Sequence, residues 1–114
     1  MRPLVKIFKA LSDPNRLRIV KMLQKQALCV CEITDILQLS ASTVSKHLSI
    51  LRDAGLILDS KDGKWVNYRL INSPENGYVR DLLPLLQQWL EQDATVQADA
   101  VKVATTNRLE ICGT

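Results

Sequence analysis

The order of the predicted elements is the feature that most limits how this chain can fold. Apolar residues recur at helical spacing in residues 30–37 and 41–54, on either side of the short segment QLS (38–40), which predicts a tight turn. Gly55 follows the second helix at a position that favours a left-handed residue. Two extended runs with an Asp-Gly turn between them predict a β-hairpin over residues 56–70. This order predicts a winged helix-turn-helix, a mainly α fold with a β-hairpin wing.

Two helices are predicted ahead of this unit. Pro3 and the apolar residues after it favour an opening helix, and Asp13 followed by Pro14 is typical of a helix N-terminus with a capping carboxylate. On the second helix we expect the apolar side chains to be buried and the basic ones to be exposed to solvent. Those basic residues are Arg16, Arg18, Lys21 and Lys25.

The region after the hairpin predicts a leucine-rich helix with one apolar stripe. Pro84 is compatible with this helix only in its first turn or at a kink, and Asp81 is one candidate N-cap. Residues 94–104 either extend this helix or form another, and residues 105–114 predict a flexible tail that carries Cys112. The stripe consists of Leu82, Leu85, Leu86, Trp89 and Leu90.

Composition and cysteine content narrow the class of protein. With 114 residues, 46% of them hydrophobic and 24% charged, the chain is typical of one globular domain. It has no apolar run of about 18 residues and no apolar secretion signal at its start, so we expect a cytoplasmic protein without a membrane span. Cys29 and Cys31 are too close in sequence for a regular disulfide. In a reducing compartment the expected roles of cysteine are metal ligation, redox sensing or inert packing.

The fourth predicted helix presents small hydroxyl side chains and a lysine on the face opposite its apolar stripe. Hydroxyl groups can approach base edges in the major groove of DNA, and lysine can also reach phosphate. The concentration of basic side chains in residues 1–25 agrees with a surface that meets phosphate. The simpler alternative is a solvated helix face, but the hairpin that follows favours DNA contact. The predicted DNA-contacting residues of this helix are Ser42, Thr43, Ser45, Lys46 and Ser49.

Further DNA contacts are predicted outside that face. His47, the only histidine, is expected at the edge of the core, with a structural or phosphate-contacting role rather than a metal-ligating one. On the hairpin, Lys64 and Arg69 are predicted to contact the DNA backbone or the minor groove. Phosphate contact by Arg16 and Arg18 remains an open alternative.

Four segments give the chain a resemblance to the ArsR/SmtB family of metal-responsive repressors. They are LSDPNRLRI (11–19), LCVCEI (28–33), STVSKHL (42–48) and LRDAGLI (51–57). With the wing, the resemblance extends over about residues 4–71. It implies a homodimer, formed through the first and last helices, that binds a near-palindromic operator in double-stranded DNA and leaves it when an inducer binds. DNA binding and dimerisation then occupy residues 1–104, ahead of the tail.

The LCVCEI segment specifically resembles the family members that sense arsenic and antimony. The inducer implied is arsenite or antimonite, with no cofactor required, and the implied ligands are Cys29 and Cys31. Many of those members have a further cysteine three residues after the pair, where this chain has Thr34. Cys112 is therefore the candidate third ligand, and its alternative is an uninvolved tail cysteine. Soft thiolates select soft ions of this kind.

The position of the pair suggests how binding could be transmitted. At the start of a helix, unpaired N–H groups and the helix dipole are expected to lower the pKa of a thiol. Residues two apart on an α-helix point about 200° apart. Both sulfurs can then bind one atom only if the first turn unwinds or does not form. The hypothesis is that inducer binding distorts this helix start, tilts the recognition helix and weakens operator binding.

Some alternative functions stay open, and others are disfavoured. A thiol-redox or persulfide-responsive repressor, in which oxidant or persulfide chemistry links Cys112 to one of the pair, is the main alternative. A winged-helix module that binds DNA or a protein partner without an inducer is another. A small cysteine-dependent enzyme is disfavoured, because no glycine-rich anion loop or paired general base accompanies a cysteine.

Two other metal sites known in this family are disfavoured. A zinc, nickel or cobalt site on the last helix needs histidine and carboxylate ligands, and no histidine follows His47. A four-cysteine cadmium or lead site is disfavoured because residues 1–28 contain no cysteine.

Overall fold

Helices make up most of the structure, a computed structural model that describes residues 1–111. The predicted winged helix-turn-helix is confirmed. None of the helices within residues 1–111 is long and apolar enough to cross a membrane. In chain order, the elements are α1 (Arg2–Leu11), α2 (Pro14–Leu23), β1 (Leu28–Cys29), α3 (Val30–Leu37), α4 (Ala41–Asp53), β2 (Ile57–Asp62), β3 (Trp65–Leu70), α5 (Gly77–Gln88), α6 (Ala94–Thr105) and α7 (Arg108–Ile111).

The helix-turn-helix unit consists of α3, α4 and the turn between them. Gln38 follows α3 in the left-handed conformation, with φ of 57°. The side chain of Ser40 then accepts a hydrogen bond from the Thr43 N–H at 3.2 Å, which caps α4. Gly55, with φ of 82°, follows α4. The apolar stripe of α4 is fully buried and consists of Val44, Leu48 and Leu51.

The sheet has three antiparallel strands in the order β1, β3, β2. The hairpin of β2 and β3 is present, but its last pair is Asp62 opposite Trp65, so the turn residues are Gly63 and Lys64 rather than Asp62 and Gly63. Gly63 has φ of 61°, a conformation that glycine adopts without strain. The sequence does not predict β1, because two residues are too few to show an alternating pattern.

The second helix begins at its predicted cap but departs from the prediction in one basic side chain. Asp13 accepts hydrogen bonds from the N–H groups of Asn15 at 2.8 Å and Arg16 at 3.2 Å. The expectation that the basic residues of α2 are exposed is wrong for Lys21, which is only 3% exposed. Its ammonium group donates to the carbonyl oxygen of Leu86 at 2.8 Å. Lys21 thus joins α2 to the C-terminal end of α5.

The leucine-rich helix α5 begins earlier than the candidate cap Asp81. Asn76 is the N-cap, because its side chain accepts a backbone N–H of the first turn at 2.8 Å. Pro84 therefore lies inside the helix rather than in its first turn, where it cannot donate to the carbonyl four residues earlier. Trp89 and Leu90 of the predicted stripe lie beyond the helix, and Leu90 has φ of 66°.

The C-terminal region contains more helix than predicted. Residues 94–104 belong to a separate helix, α6, and the described part of the segment 105–114 includes α7 where a flexible tail was expected. α7 packs against α3. Between these two helices, the guanidinium of Arg108 lies 3.6 Å from the carboxylate of Glu32. Cys112 lies outside the described residues.

Candidate DNA interface and cysteine site

The predicted recognition face of α4 is open to solvent. Ser42, Thr43, Ser45 and Lys46 are exposed, on the side of the helix opposite its buried stripe. The Ser40 hydroxyl donates to Thr43 Oγ1 at 2.9 Å and lies 3.2 Å from Ser42 Oγ. The hydroxyls at the start of α4 are therefore oriented by the helix cap. This face offers short polar groups and one cation to a DNA groove.

Two other predicted groups of the helix-turn-helix are less accessible. Ser49 and His47 are half-buried, and His47 Nδ1 lies 3.3 Å from a guanidinium nitrogen of Arg16. Arg16 also donates to the carbonyl oxygens of Ala10 at 2.8 Å and Lys9 at 3.1 Å, at the end of α1. His47 thus lies at the edge of the core, beside an arginine that binds the backbone of its own chain.

The wing carries the two other predicted DNA contacts. Lys64 at the turn and Arg69 on β3 are both exposed. The Lys64 ammonium lies 4.9 Å from the centroid of the Trp65 ring, within the range of a cation–π interaction. The wing therefore presents cations to solvent at its tip, through Lys64, and on the central strand β3, through Arg69.

Cys29 lies at the junction of the wing and the helix-turn-helix. It is 1% exposed, and it lies opposite Asn67 of β3 in the antiparallel ladder. It is also the N-cap of α3, in extended backbone, so of the two cysteines only Cys31 lies within the helix. Its backbone N–H donates to Oε1 of Glu32 at 3.0 Å, and Glu32 is itself buried. This is the reciprocal arrangement of a capping box.

The expected lowering of the thiol pKa is wrong for Cys29. Burial raises the pKa of the Cys29 thiol above its ordinary value, and the adjacent carboxylate of Glu32 adds to this rise. The hydrogen bond from the Glu32 N–H and the positive charge of Arg108 lower this pKa, but they do not outweigh burial. Cys29 therefore lies at a helix N-terminus, but burial and the nearby negative charge raise the pKa of its thiol more than the helix N-terminus lowers it.

Cys31, in the first turn of α3, is partly exposed. It lines a pocket of about 300 Å³ together with Thr34 of α3 and Ile111 of α7. Cys31 is disulfide-bonded in this structure, so its sulfur has to be reduced before it can bind a metalloid. Within residues 1–111 no cluster of three or more His, Cys, Asp or Glu side chains could bind a metal ion. A third sulfur ligand from this chain would therefore have to be Cys112.

Glu32 and Arg108 belong to this site but are absent from the sequence prediction. The spacing of Cys29 and Glu32 is that of an N-cap and its N3 partner, so the capping-box pattern was the signal that could have identified Glu32. Arg108 gave no local signal, because its partners are distant in sequence.

Known regulatory proteins resemble this chain over the segment that carries the helix-turn-helix. A family model described as "Bacterial regulatory protein, arsR family" matches residues 13–58, which contain α2, β1, α3 and α4. The Arsenic resistance transcriptional regulator ArsR1 of Pseudomonas putida is 38% identical over 94 residues, which cover 77% of this chain and 72% of that relative. The chain belongs to the arsR family. As a member of the arsR family, it is a DNA-binding transcriptional repressor and not an enzyme.

A solved structure supports the fold of this arsR-family protein, and its relatives by sequence differ in the element that their names state. The structure of reduced HlyU from Vibrio cholerae is 33% identical, with a TM-score of 0.66, and the match covers 80% of this chain and 92% of that one. The cadmium resistance transcriptional regulatory protein CadC of Listeria innocua is 47% identical over 66 residues, covering 57% of this chain and 56% of that relative. ArsR-family regulators bind operator DNA and are usually dimers.

Proposed function

We propose that this protein is a repressor that leaves its operator when trivalent arsenic or antimony binds Cys29 and Cys31. The observation that carries the proposal is the location of Cys29, whose backbone belongs both to the sheet of the wing and to the capping box of α3. A ligand that pulls on its sulfur acts on two DNA-binding elements at once. A metalloid is favoured over a hard cation because both side chains are soft sulfur donors.

Metalloid binding requires the start of α3 to change its conformation. Cys29 is in extended backbone and Cys31 is in the first helical turn, so bringing both sulfurs to one atom requires that turn to move. The carboxylate of Glu32 and the pairing with Asn67 resist this movement. Because α3 packs against α4, the recognition helix moves with it. A preference of about 2–3 kcal/mol for the metalloid-bound, DNA-free state is enough for a tens- to hundredfold release.

Cys112 is the proposed third ligand. It follows directly after Ile111 in the sequence, and Ile111 lines the pocket that Cys31 also lines. Three sulfurs are the preferred ligand set of trivalent arsenic.

The proposed repressor is a homodimer. The resemblance implied an interface through the first and last helices, whereas the exposed apolar groove lies between α1 and α5, and two further helices follow α5. This groove includes Phe8, Tyr78 and Leu85, which are 59%, 50% and 43% exposed. Exposed apolar residues grouped in this way are typical of an interface. Phe8→Glu should dissociate the dimer in sedimentation velocity, whereas Val66→Glu on the wing should leave it intact. A Phe8→Glu protein that sediments like the wild type contradicts this interface.

Arsenite titration tests the inducer. Reduced protein bound to fluorescent operator DNA is titrated with arsenite, while thiolate-to-arsenic absorption and DNA anisotropy are followed in the same sample. Cys29→Ser and Cys31→Ser should bind operator normally and fail to release it, and Cys112→Ser should need more arsenite. A flat absorption trace, or release by Cd²⁺ but not by arsenite, contradicts the proposed inducer.

A thiol-redox repressor is the second candidate, and the disulfide at Cys31 favours it. In this reaction Cys112 and Cys31 lose two protons and two electrons to an oxidant, and hydrogen peroxide as that oxidant is reduced to two waters. Peroxide should then lower operator affinity in the absence of any metalloid, and dithiothreitol should restore it. Equal affinity of the oxidised and reduced proteins contradicts this candidate.

A further inference from the structure

We propose that Arg108 is a positioning residue for operator binding, which fixes the tip of the wing relative to the helix-turn-helix. This role does not depend on the inducer. It rests on the predicted contact between the wing and DNA, which the experiment below tests separately.

Arg108 contacts the start of α3 and the tip of the wing at the same time. Its guanidinium lies 3.6 Å from the carboxylate of Glu32 and 3.7 Å from that of Asp62, the last residue of β2. The same guanidinium lies 5.0 Å from the centroid of the Trp65 ring, the first residue of β3. One side chain therefore contacts both residues that flank the turn of the hairpin.

The α3 end of this arrangement is rigid. The side chain of Glu32 is 6% exposed, and its carboxylate accepts the N–H of Cys29 at 3.0 Å. A buried carboxylate is stable only with hydrogen bonds or an opposite charge, and Arg108 supplies that charge. The side chain of Arg108 is 24% exposed, so solvent screens this pair less than a pair on the open surface.

The tip of the wing is the part of the structure that the contacts of Arg108 stabilise most. The side chain of Asp62 is 67% exposed, and a two-stranded hairpin is only marginally stable without packing. Lys64, a predicted DNA contact, lies against the same Trp65 ring as Arg108. When Arg108 orders that ring, it also orders the cation that would meet DNA, so less conformational entropy is lost on binding.

Operator affinity of Arg108→Gln tests this role. The Kd measured by anisotropy should rise about fivefold, with an unchanged dependence on salt concentration. Arg108→Lys keeps the charge but not the planar stacking, so it should lie between Arg108→Gln and the wild type. Arg80→Gln is the matched control, because it removes the same charge from an exposed arginine of α5 that pairs with Asp81. Equal effects of the two Gln variants would overturn the proposal.

Two further measurements separate positioning from direct contact. If Arg108 itself bound phosphate, Arg108→Gln would lower the salt slope by about one, which would overturn the proposal. In a Trp89→Phe background Trp65 is the only tryptophan. With excitation selective for tryptophan, Arg108→Gln should shift its emission to longer wavelength, while urea unfolding shows that the protein is folded. An unshifted emission would also overturn it.

Lys64→Ala tests the predicted contact between the wing and DNA. This variant should weaken operator binding, and the loss should be smaller in the Arg108→Gln background, since a disordered tip already holds the cation poorly. Additive losses would overturn the positioning role while the wing contact stands. If neither variant changes the Kd, the positioning role and the wing contact both fail.

Discussion

The guanidinium of Arg18 donates two hydrogen bonds to the carboxylate of Asp99, at 2.8 and 2.9 Å, across the packed helices α2 and α6. The side chain of Asp99 is 4% exposed. The hydrogen bond to Asp99 raises the pKa of Arg18, which therefore stays charged. The pair joins α6 to α2, the helix next to the helix-turn-helix. It also directs the Arg18 guanidinium toward its own chain rather than toward phosphate.

Removal of this pair should destabilise the fold. Asp99→Ala leaves the partly buried guanidinium without its bidentate partner, so the free energy of unfolding should fall by about 2 kcal/mol. Urea denaturation followed by circular dichroism measures this change. Asp81→Ala is the control, because it breaks the exposed pair with Arg80 and should cost less than about 0.5 kcal/mol. Similar losses in the two variants would contradict a special role for Asp99.

Lys21 is expected to matter for stability far more than an exposed lysine that follows the same helix. Its ammonium donates to the carbonyl oxygens of Leu86 and Gln87 at the end of α5. Lys21→Met keeps the aliphatic stem but leaves those carbonyls without this donor, so it should cost about 2 kcal/mol. Lys25→Met, at an exposed position just after α2, should be nearly neutral. Comparable urea midpoints for the two variants would show that the buried contacts contribute little.

The contrast between local and distant contacts explains how much the sequence could predict. The burial of Leu48, the cap at Asp13 and the bend at Gly55 depend on neighbouring residues, so their patterns are visible in the sequence. The burial of Lys21 depends on carbonyl groups of another helix, far along the chain. The same holds for the cysteine site, where the start of α3 was predicted but its contacts with Arg108 were not.

The cap of α2 should make stability depend on pH in acid. Burial acts to raise the pKa of Asp13, but the hydrogen bonds from Arg16 and Asn15 prevail, and the pKa lies below its ordinary 3.8. Its contribution is therefore present above that value and is lost as pH falls through the lower folded pKa. Asp13→Ala should cost about 1 kcal/mol near neutral pH, and this difference should shrink below about pH 4.

Urea titrations across that range measure the effect. Asp13→Asn is the matched control, because its amide oxygen can still accept both N–H groups but does not titrate in this range. It should lose little stability near neutral pH. A cost of Asp13→Ala that stays constant down to the lowest pH would show that the carboxylate charge does not contribute.

Lys46 is predicted to contact phosphate from the exposed face of α4. Lys46→Ala should weaken operator binding and lower the slope of log K against log salt by about one. Anisotropy titrations at several salt concentrations measure both quantities. Lys102→Ala, an exposed lysine of α6, removes the same charge away from the helix-turn-helix and should leave the slope unchanged. An unchanged slope for Lys46→Ala would exclude phosphate contact.

Cys29 should react slowly with alkylating agents at neutral pH. Because burial raises the pKa of its thiol above 9.0, its thiolate fraction, and with it the rate of iodoacetamide reaction, should keep rising beyond that pH. Glu32→Gln retains an acceptor for the Cys29 N–H but removes the negative charge, so the midpoint of the rate profile should move to lower pH. Rates are measured in a Cys31→Ser, Cys112→Ser background, in which Cys29 is the only cysteine.

The raised pKa of the Cys29 thiol also makes the stability of the fold depend on pH. A raised folded pKa means that the protonated thiol is favoured in the native state. Its contribution is therefore complete below the unfolded pKa and is lost as pH rises through the folded value. Stability of the variant that keeps only Cys29 should fall in alkaline solution more than that of the same protein with Cys29→Ser. Parallel alkaline profiles, together with an alkylation midpoint at or below 9.0, would show that this thiol is more solvated than its position beside β3 implies.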